Sequence, residues 1–365
     1  RRRRSQRAQR SSGASSEEEK ADDTDLSSAH TLSDVRTRAY DFVARLLRDG
    51  PVRDVLAGLR REAASIGDFN VLRFFYDLDS RFFAVWAKTR AVLDMANMTD
   101  CNSKRTPGVP HEVILQAQPH EELLPKTVPY ANVCGAMLWI SRMVRPDCMQ
   151  RTAELARAMH APTWRHWAHM KHLLAYLKST LDEGLVYKQD SSVTRATFGY
   201  KGYADADYAP DYGSAFENYK STTGWIFTIN DVAFSWRSRK QSLLADSTSA
   251  SELMAATDAS KHSVWLRRLF ADLGFPQHGP TGIYEDNESC LKLSRNYCGH
   301  DRVKHLDLRD MLVREHHKRN LTELISIPTA FQLADPLTKV LAGPPTKQFR
   351  AWALRGELPS DLPVT

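Results

Sequence analysis

The sequence predicts an α/β fold: a mixed sheet of three antiparallel strands followed by β-α units, preceded by a mainly helical segment and a disordered N-terminus. Three observations carry this. Between residues 196 and 240 the runs TFGYKGYADADYA, TTGWIFTIN and DVAFSWRSRK are short, rich in aromatic and β-branched residues, and separated by turn-formers. After them, helix-period and strand-like runs alternate, which layers helices on a sheet. Before them, apolar residues recur at steps of three and four. A chain of 365 residues, 42% hydrophobic, can fill two or three cores at about 150 residues per domain.

Taken in order, residues 1–34 pass from an Arg-rich block to SSGASSEEEKADDTDLSS with almost nothing apolar to bury, so a disordered tail is expected. Residues 35–97 show helical spacing, as in Tyr40, Val43, Leu46 and Leu47, and their aromatic run around Phe74, Phe75, Tyr76, Phe82, Phe83 and Trp86 reads as a buried face. Residues 98–195 form a third segment, with helices in YANVCGAMLWISRMV, QRTAELARAMH and TWRHWAHMKHLLAYLKST. The last of these keeps Trp167, Met170, Leu173, Leu174 and Leu177 on one face. Residues 196–345 hold the three strands, a helix from about Ser249 to Leu273, a strand in TGIYEDN and helices over Glu288–Ser294 and Lys304–Lys318. A strand in LTELISIP and a final helix from about Asp335 complete the domain. Residues 346–365 read as a C-terminal tail.

Composition excludes several classes. Cys101, Cys134, Cys148, Cys290 and Cys298 have no C-x-x-C pairing, which argues against a structural zinc site and for reduced thiols. No run of about 18 apolar residues is present, and RRRRSQRAQRSS lacks the apolar core of a secretion signal. The expectation is an intracellular protein, in a cytoplasmic particle or the nucleus, that is not secreted and does not enter a membrane. Fifty Lys+Arg against 44 Asp+Glu leave a net charge of +6, a mild bias towards polyanionic partners.

Four acids fall on four successive elements. Asp205 interrupts the first strand. Glu252 lies on the inward stripe of the long helix with Ala255, Ala259, His262 and Leu266, although Ser249-x-x-Glu252 also matches a capping box. Asp286 follows a strand and precedes a helix, where an N-cap role explains it equally well. Asp335 precedes Pro336, an ordinary helix start. His262 reads as a satisfied core residue, and His300, His305, His316 and His317 as surface residues.

The order of acids on these elements resembles the ribonuclease H fold, whose carboxylates hold two magnesium ions. Magnesium takes oxygen ligands in octahedral array, and paired ions activate water and stabilise the leaving oxygen of a phosphodiester. Without a cation, four clustered acids repel and raise one another's pKa. The strings GYADADYA, YKSTTGWIFTI, FSWRSRKQ, STSASELMAA, VWLRRLFADLGF, IYEDNESC, VKHLDLRDMLVREH and IPTAFQLADPLTK are similar to the end of the Pol polyprotein of Ty1/copia-type retrotransposons. Upstream, DCNSKRTPG, PYANVCGAMLWISRMVRPD and MHAPTWRHWAHMKHLLAYLKSTLDEGLVY look like the thumb/connection segment between the reverse-transcriptase palm and ribonuclease H.

The resemblance implies a ribonuclease H-like domain over 196–345, a thumb/connection-like segment over 98–195, and Asp205, Glu252, Asp286 and Asp335 as the catalytic, metal-holding acids. It implies two Mg2+ ions, with Mn2+ as a substitute, and an RNA/DNA hybrid or other nucleic acid as partner. The D-A-D string leaves Asp205 and Asp207 as alternatives for the first ligand. Ala250, in place of the acid usual two residues before the helix-opening Glu, Leu253 and Tyr208 depart from the family pattern without removing a presumed ligand. No polymerase hairpin is found, since Tyr76-Asp77-Leu78-Asp79 has the wrong spacing, so the chain reads as a 3′ fragment joined to an unrelated or diverged N-terminus. Arg237, Arg239 and Lys240, read as part of the connection between the third strand and the Glu252 helix, are the candidate phosphate contacts, with Arg302, Lys304 and His305 as a second basic group. The implied activity is magnesium-dependent cleavage of the RNA strand of hybrids. The alternatives are an inactive remnant that keeps the fold and at most binds nucleic acid, and a related transposase or exonuclease.

Overall fold

The computed structural model describes residues 88–187, 197–210, 219–295 and 312–359. The chain divides after Gly67 into two compact units, and every described residue belongs to the second. The tail 1–34, nearly all of 35–97, Cys298, the Arg302/Lys304/His305 group and the first part of the helix expected at 304–318 lie outside the described residues.

Strands β1 (Lys201–Asp207), β2 (Thr222–Ile229) and β3 (Val232–Lys240) form an antiparallel meander, as the aromatic and β-branched runs predict. Asn230 and Asp231 turn β2 into β3 with both residues at positive φ (48° and 65°), the conformation that two-residue hairpins require and that Asn and Asp tolerate. Helix α4 (Thr248–Asp272) crosses to β4 (Thr281–Glu285), which pairs in parallel with β1. β5 (Thr322–Ser326) then adds in parallel beside β4, giving the order β3-β2-β1-β4-β5. Short helices α5 (Glu288–Arg295) and α6 (Leu312–Lys318) lie between them in sequence. The fold is therefore α/β with a five-stranded mixed sheet.

Both faces of the sheet are covered. On one, α4 packs Leu253, Ala256, Ala259, Leu266 and Phe270 against Ala204, Trp225, Phe227 and Ile283. Small residues on α4, including Ala255, Ala256, Ala259 and Ser260, are buried there. On the other face lie α1 (Tyr130–Met143), α2 (Met149–Arg157), α3 (Trp164–Ser179) and α7 (Gly343–Arg355). Val133, Met137, Ile140, Leu173, Leu174 and Leu177 share one core with Tyr203, Ile226, Val232 and Ala233 of the sheet and with Phe349 and Trp352 of α7. The helical segment and the sheet are thus two layers of one structure across the 195/196 boundary. Hydrogen bonds cross the same seam: Tyr187 Oη donates to the Ala233 carbonyl (2.6 Å), Trp236 Nε1 to Ser141 (2.8 Å), and the Val186 N–H to Leu354 (2.7 Å).

Two expectations at the C-terminus are corrected. Asp335–Leu337 is a single 3-10 turn, and the last helix begins only at Gly343. Pro344 and Pro345 fit the first turn of a helix, where no N–H is needed, and would break one running through from 335. Residues 346–355, read from sequence as tail, belong to α7 and bury Phe349, Trp352, Ala353 and Leu354. A buried polar network ties this helix to the helical layer. Arg145 grips Asp147 with two hydrogen bonds (2.9 and 2.7 Å) and also reaches Thr180. Tyr176 Oη donates to Asp147 (2.6 Å), and Arg350 of α7 donates to Tyr176 (3.0 Å) and Glu183 (2.7 Å).

Candidate metal centre

Three of the four acids chosen from sequence meet. Asp205 stands in β1 opposite Gly224 of β2, Glu252 stands one turn inside α4, and Asp286 directly follows β4. One carboxylate oxygen from each lies within 4.8 Å of the others; Asp205 and Glu252 are buried, and Asp286 is half-buried. Of the D-A-D pair, Asp205 is the member of this group.

Local explanations for these acids fail on geometry. Ser247 caps α4, its Oγ accepting the Ala250 N–H (3.2 Å), so the Ser249/Glu252 capping box does not form and Glu252 sits a turn deeper. α5 is capped by Asn287, whose Oδ1 accepts the Cys290 N–H (3.0 Å), which relieves Asp286 of that role. Gln241 fixes the approach of α4: its Nε2 donates to Thr223 Oγ1 (3.0 Å) on β2 and to the Ser251 carbonyl (2.9 Å) beside Glu252.

Asp335 comes in on the turn 335–337. Thr338 Oγ1 donates to Asp205 Oδ2 and lies 2.9 Å from the Asp335 carbonyl. Gln332 Nε2 holds the same loop to β1 through the Ala204 carbonyl (2.8 Å). Glycine at 224 permits this approach, because a Cβ there would meet Thr338 Cγ2 at 2.7 Å and Leu337 Cβ at 2.9 Å. Lys339 Nζ lies 3.0 Å from Asp335 Oδ1.

A third buried acid at this centre, Glu285, escaped the sequence reading. Its Oε1 accepts the Asn287 N–H (3.1 Å), and its charge acts on Glu252. The signal was present: alternation in β4 puts Glu285 on the same side as buried Ile283. Thr338, Lys339, Gln332, Gln241 and Gly224 were also missed as site residues. Their importance follows from contacts across the fold, which no local pattern reports.

The electrostatics are those of crowded anions. Burial, and next the charge of Asp335, push Asp205 up to about 7, against the opposing pull of Lys339 and Thr338. Burial, then Glu285, Asp205 and Asp286, push Glu252 up to about 11. Burial also raises Asp335 despite Lys339, and raises Glu285 strongly. Glu252 Oε2 and Glu285 Oε2 are buried without a hydrogen-bond partner. Oxygen-only donors with unsatisfied lone pairs fit a hard divalent cation such as Mg2+ or Mn2+.

A pH dependence follows. The folded state keeps protons on Asp205 and Glu252 that the unfolded chain releases near pH 4, so metal-free stability falls as pH rises above about 4. For Asp205 the loss runs to about pH 7, and for Glu252 it continues into the alkaline range. At ~1.4 kcal/mol per pKa unit, Asp205 alone accounts for a loss of the order of 4 kcal/mol. The metal-free thermal midpoint should fall by about 10 °C between pH 5 and pH 8, measured by circular dichroism in EDTA. A midpoint that does not fall over that range contradicts this placement of the acids.

The candidate phosphate contacts are strand residues. Arg237 and Arg239 lie within β3, exposed on one face, with Asp258 of α4 at 3.8 and 3.4 Å. Lys240 donates to the Lys220 carbonyl (2.7 Å). β3 runs to Lys240 as the run DVAFSWRSRK predicts, and Arg237, Ser238, Arg239 and Lys240 pair with Trp225, Gly224, Thr223 and Thr222, so they belong to the ladder and not to the connection towards α4. His262 is satisfied as expected, bonded to Ser235 Oγ (2.8 Å) and stacked on Trp225. His316, expected at the surface, is buried and bonded to Ser260 Oγ (2.7 Å). Among the described residues, Cys101, Cys134, Cys148 and Cys290 are free thiols, and no helix is long and apolar enough to cross a membrane.

No family model matches the chain. Relatives do. The retrovirus-related Pol polyprotein from transposon TNT 1-94 of Nicotiana tabacum is 32% identical over 259 residues, 68% of this chain and 18% of the relative. That from transposon RE2 of Arabidopsis thaliana is 31% identical over 219 residues, 60% of this chain and 14% of the relative. Secreted RxLR effector protein 161 of Plasmopara viticola is 37% identical over 142 residues, 39% of this chain and 93% of the relative. The chain thus spans less than a fifth of the length of the two polyproteins. On this similarity, which covers most of the chain, it belongs to the retrovirus-related Pol polyproteins of copia-type transposons.

Proposed function

We propose that this chain is a ribonuclease H-type nuclease that hydrolyses the RNA strand of an RNA/DNA hybrid with Mg2+, or Mn2+ in its place. The observation that carries the reading is the convergence of Asp205, Glu252 and Asp286, from β1, α4 and the end of β4, to within 4.8 Å. The strand order β3-β2-β1-β4-β5, with β1 to β3 antiparallel and β4 and β5 parallel to β1, supports a ribonuclease H-like domain over 196–345. Kinship with Pol polyproteins supports a nucleic-acid substrate and a thumb/connection origin for 98–195.

In this reading Asp205, Glu252 and Asp286 hold one ion, and Asp335, beside Asp205, offers the second position. When bound, the metal supplies charge neutralisation at the scissile phosphate and a water of lowered pKa. The chain does the positioning: Thr338 orients Asp205, Gln332 and Gly224 seat the Asp335 turn, and Gln241 holds the start of α4. Arg237 and Arg239 are half-exposed and paired with Asp258 at long range, so a phosphate can draw them away. Contacts to the 2′-hydroxyl would distinguish the RNA strand.

The test is the full chain with a hybrid labelled on each strand in turn. RNA-strand cleavage that requires Mg2+ and stops with EDTA is expected. Intact RNA in the presence of a folded, metal-binding protein would favour the inactive remnant.

A further inference from the structure

The acidic centre contains its own cation. Lys339 is half-exposed, its Nζ lies 3.0 Å from Asp335 Oδ1, and the closed turn 335–338 delivers it there. The Lys339 N–H bonds back to the Asp335 carbonyl (3.1 Å), while Thr338 from the same turn donates to Asp205. Gly224 lets the turn sit directly on β2. The ammonium is therefore built into the side of the centre where Asp335 approaches Asp205. Burial opposes its charge, yet Asp205, Asp335 and Asp207 outweigh burial and hold it above the usual lysine range.

We propose that Lys339 is a resident counter-cation of the acidic centre: it takes the position beside Asp335, so that one divalent ion binds tightly at Asp205, Glu252 and Asp286, and a second binds only by displacing the Lys339 ammonium. The inference rests on the metal-binding reading above and deepens it. Its basis is charge. Glu252, Asp286 and buried Glu285 have no cation of the described chain within ion-pair distance, whereas Asp335 already has one. Like charges at contact distance repel strongly away from bulk water, so an ion arriving at Asp335 must move the ammonium outward, which the half-exposed stem allows. Lys339 is a positioning residue in this account: it sets how many ions the centre holds at a given concentration.

The experiment is a Mn2+ titration of the full chain followed by electron paramagnetic resonance, with K339M and K339R beside it. The wild type should bind one Mn2+ tightly and a second at least about tenfold more weakly. K339M should tighten the second step by about tenfold and leave the first nearly unchanged, and K339R, which keeps the charge, should follow the wild type. A 15N spectrum of the wild type's lysine ammonium groups gives a readout that needs no variant: one ammonium signal should move with the second ion and stay fixed with the first. Equal second-step affinities in wild type and K339M, or an ammonium signal indifferent to the second ion, would overturn the role of Lys339 while leaving the tight ion in place. Absence of any bound Mn2+ in the wild type would overturn the metal reading and this inference with it, a result distinct from the previous one.

Discussion

Asp286→Asn is expected to lower hybrid cleavage by about 10²–10³-fold and, in the same protein stripped of metal, to raise the thermal midpoint at pH 8. The two effects have one cause. The Asp286 charge pushes up the pKa of Asp205, Glu252 and Glu285, so the metal-free fold carries the cost of this crowding. Asparagine removes one anion, relieving the repulsion and weakening the hold on a divalent ion together. A helix-capping role predicts the opposite sign for stability, since losing a cap costs about 1 kcal/mol, and Asn287 already caps α5. The measurement is a melting curve in EDTA beside a cleavage time course. Cleavage that survives, or a midpoint that falls, contradicts the assignment.

Expressed as residues 197–359 alone, the sheet with α4 to α7 is expected to lose cooperative folding. Tyr203, Ile226, Val232 and Ala233 on the sheet, and Phe349 and Trp352 on α7, share one core with Val133, Met137, Ile140, Leu173 and Leu174. Exposing a large buried side chain costs about 1.5–3 kcal/mol, so several at once approach the whole stability of a domain, about 5–15 kcal/mol. The truncation also leaves Arg350 without Tyr176 and Glu183. Urea unfolding followed by tryptophan fluorescence tests this, with Trp225, Trp236 and Trp352 as reporters. A sigmoidal transition in the fragment would show that the sheet region stands alone and that the helical layer is an accessory.

The meander, α4, β4, α5 and β5 were legible because each is written in local chemistry: short aromatic and β-branched runs between turn-formers for the strands, a three-four stripe for α4. The acids were legible in the same way, as carboxylates where a strand or an inward helical stripe should be apolar. What sequence did not disclose depends on distant partners. Arg237, Arg239 and Lys240 read both as the end of a strand run and as part of the connection to the Glu252 helix, and only the ladder that β2 offers decides for the strand. The residues after 345 look like tail because α7 is amphipathic and its apolar face, Phe349 and Trp352, finds its partners in the sheet, at β3 and at Tyr203 of β1. His316 looks like surface until Ser260 and the sheet close over it. Glu285 was hidden by its neighbour Asp286, although strand alternation points it inward.

Anomalous scattering from a crystal soaked in Mn2+ measures directly whether Asp205, Glu252 and Asp286 jointly hold a divalent cation. A manganese peak bounded by oxygens of these three carboxylates is expected, lost in Asp286→Asn. Saturating Mn2+ with no peak among them, or a peak only elsewhere on the chain, would contradict it.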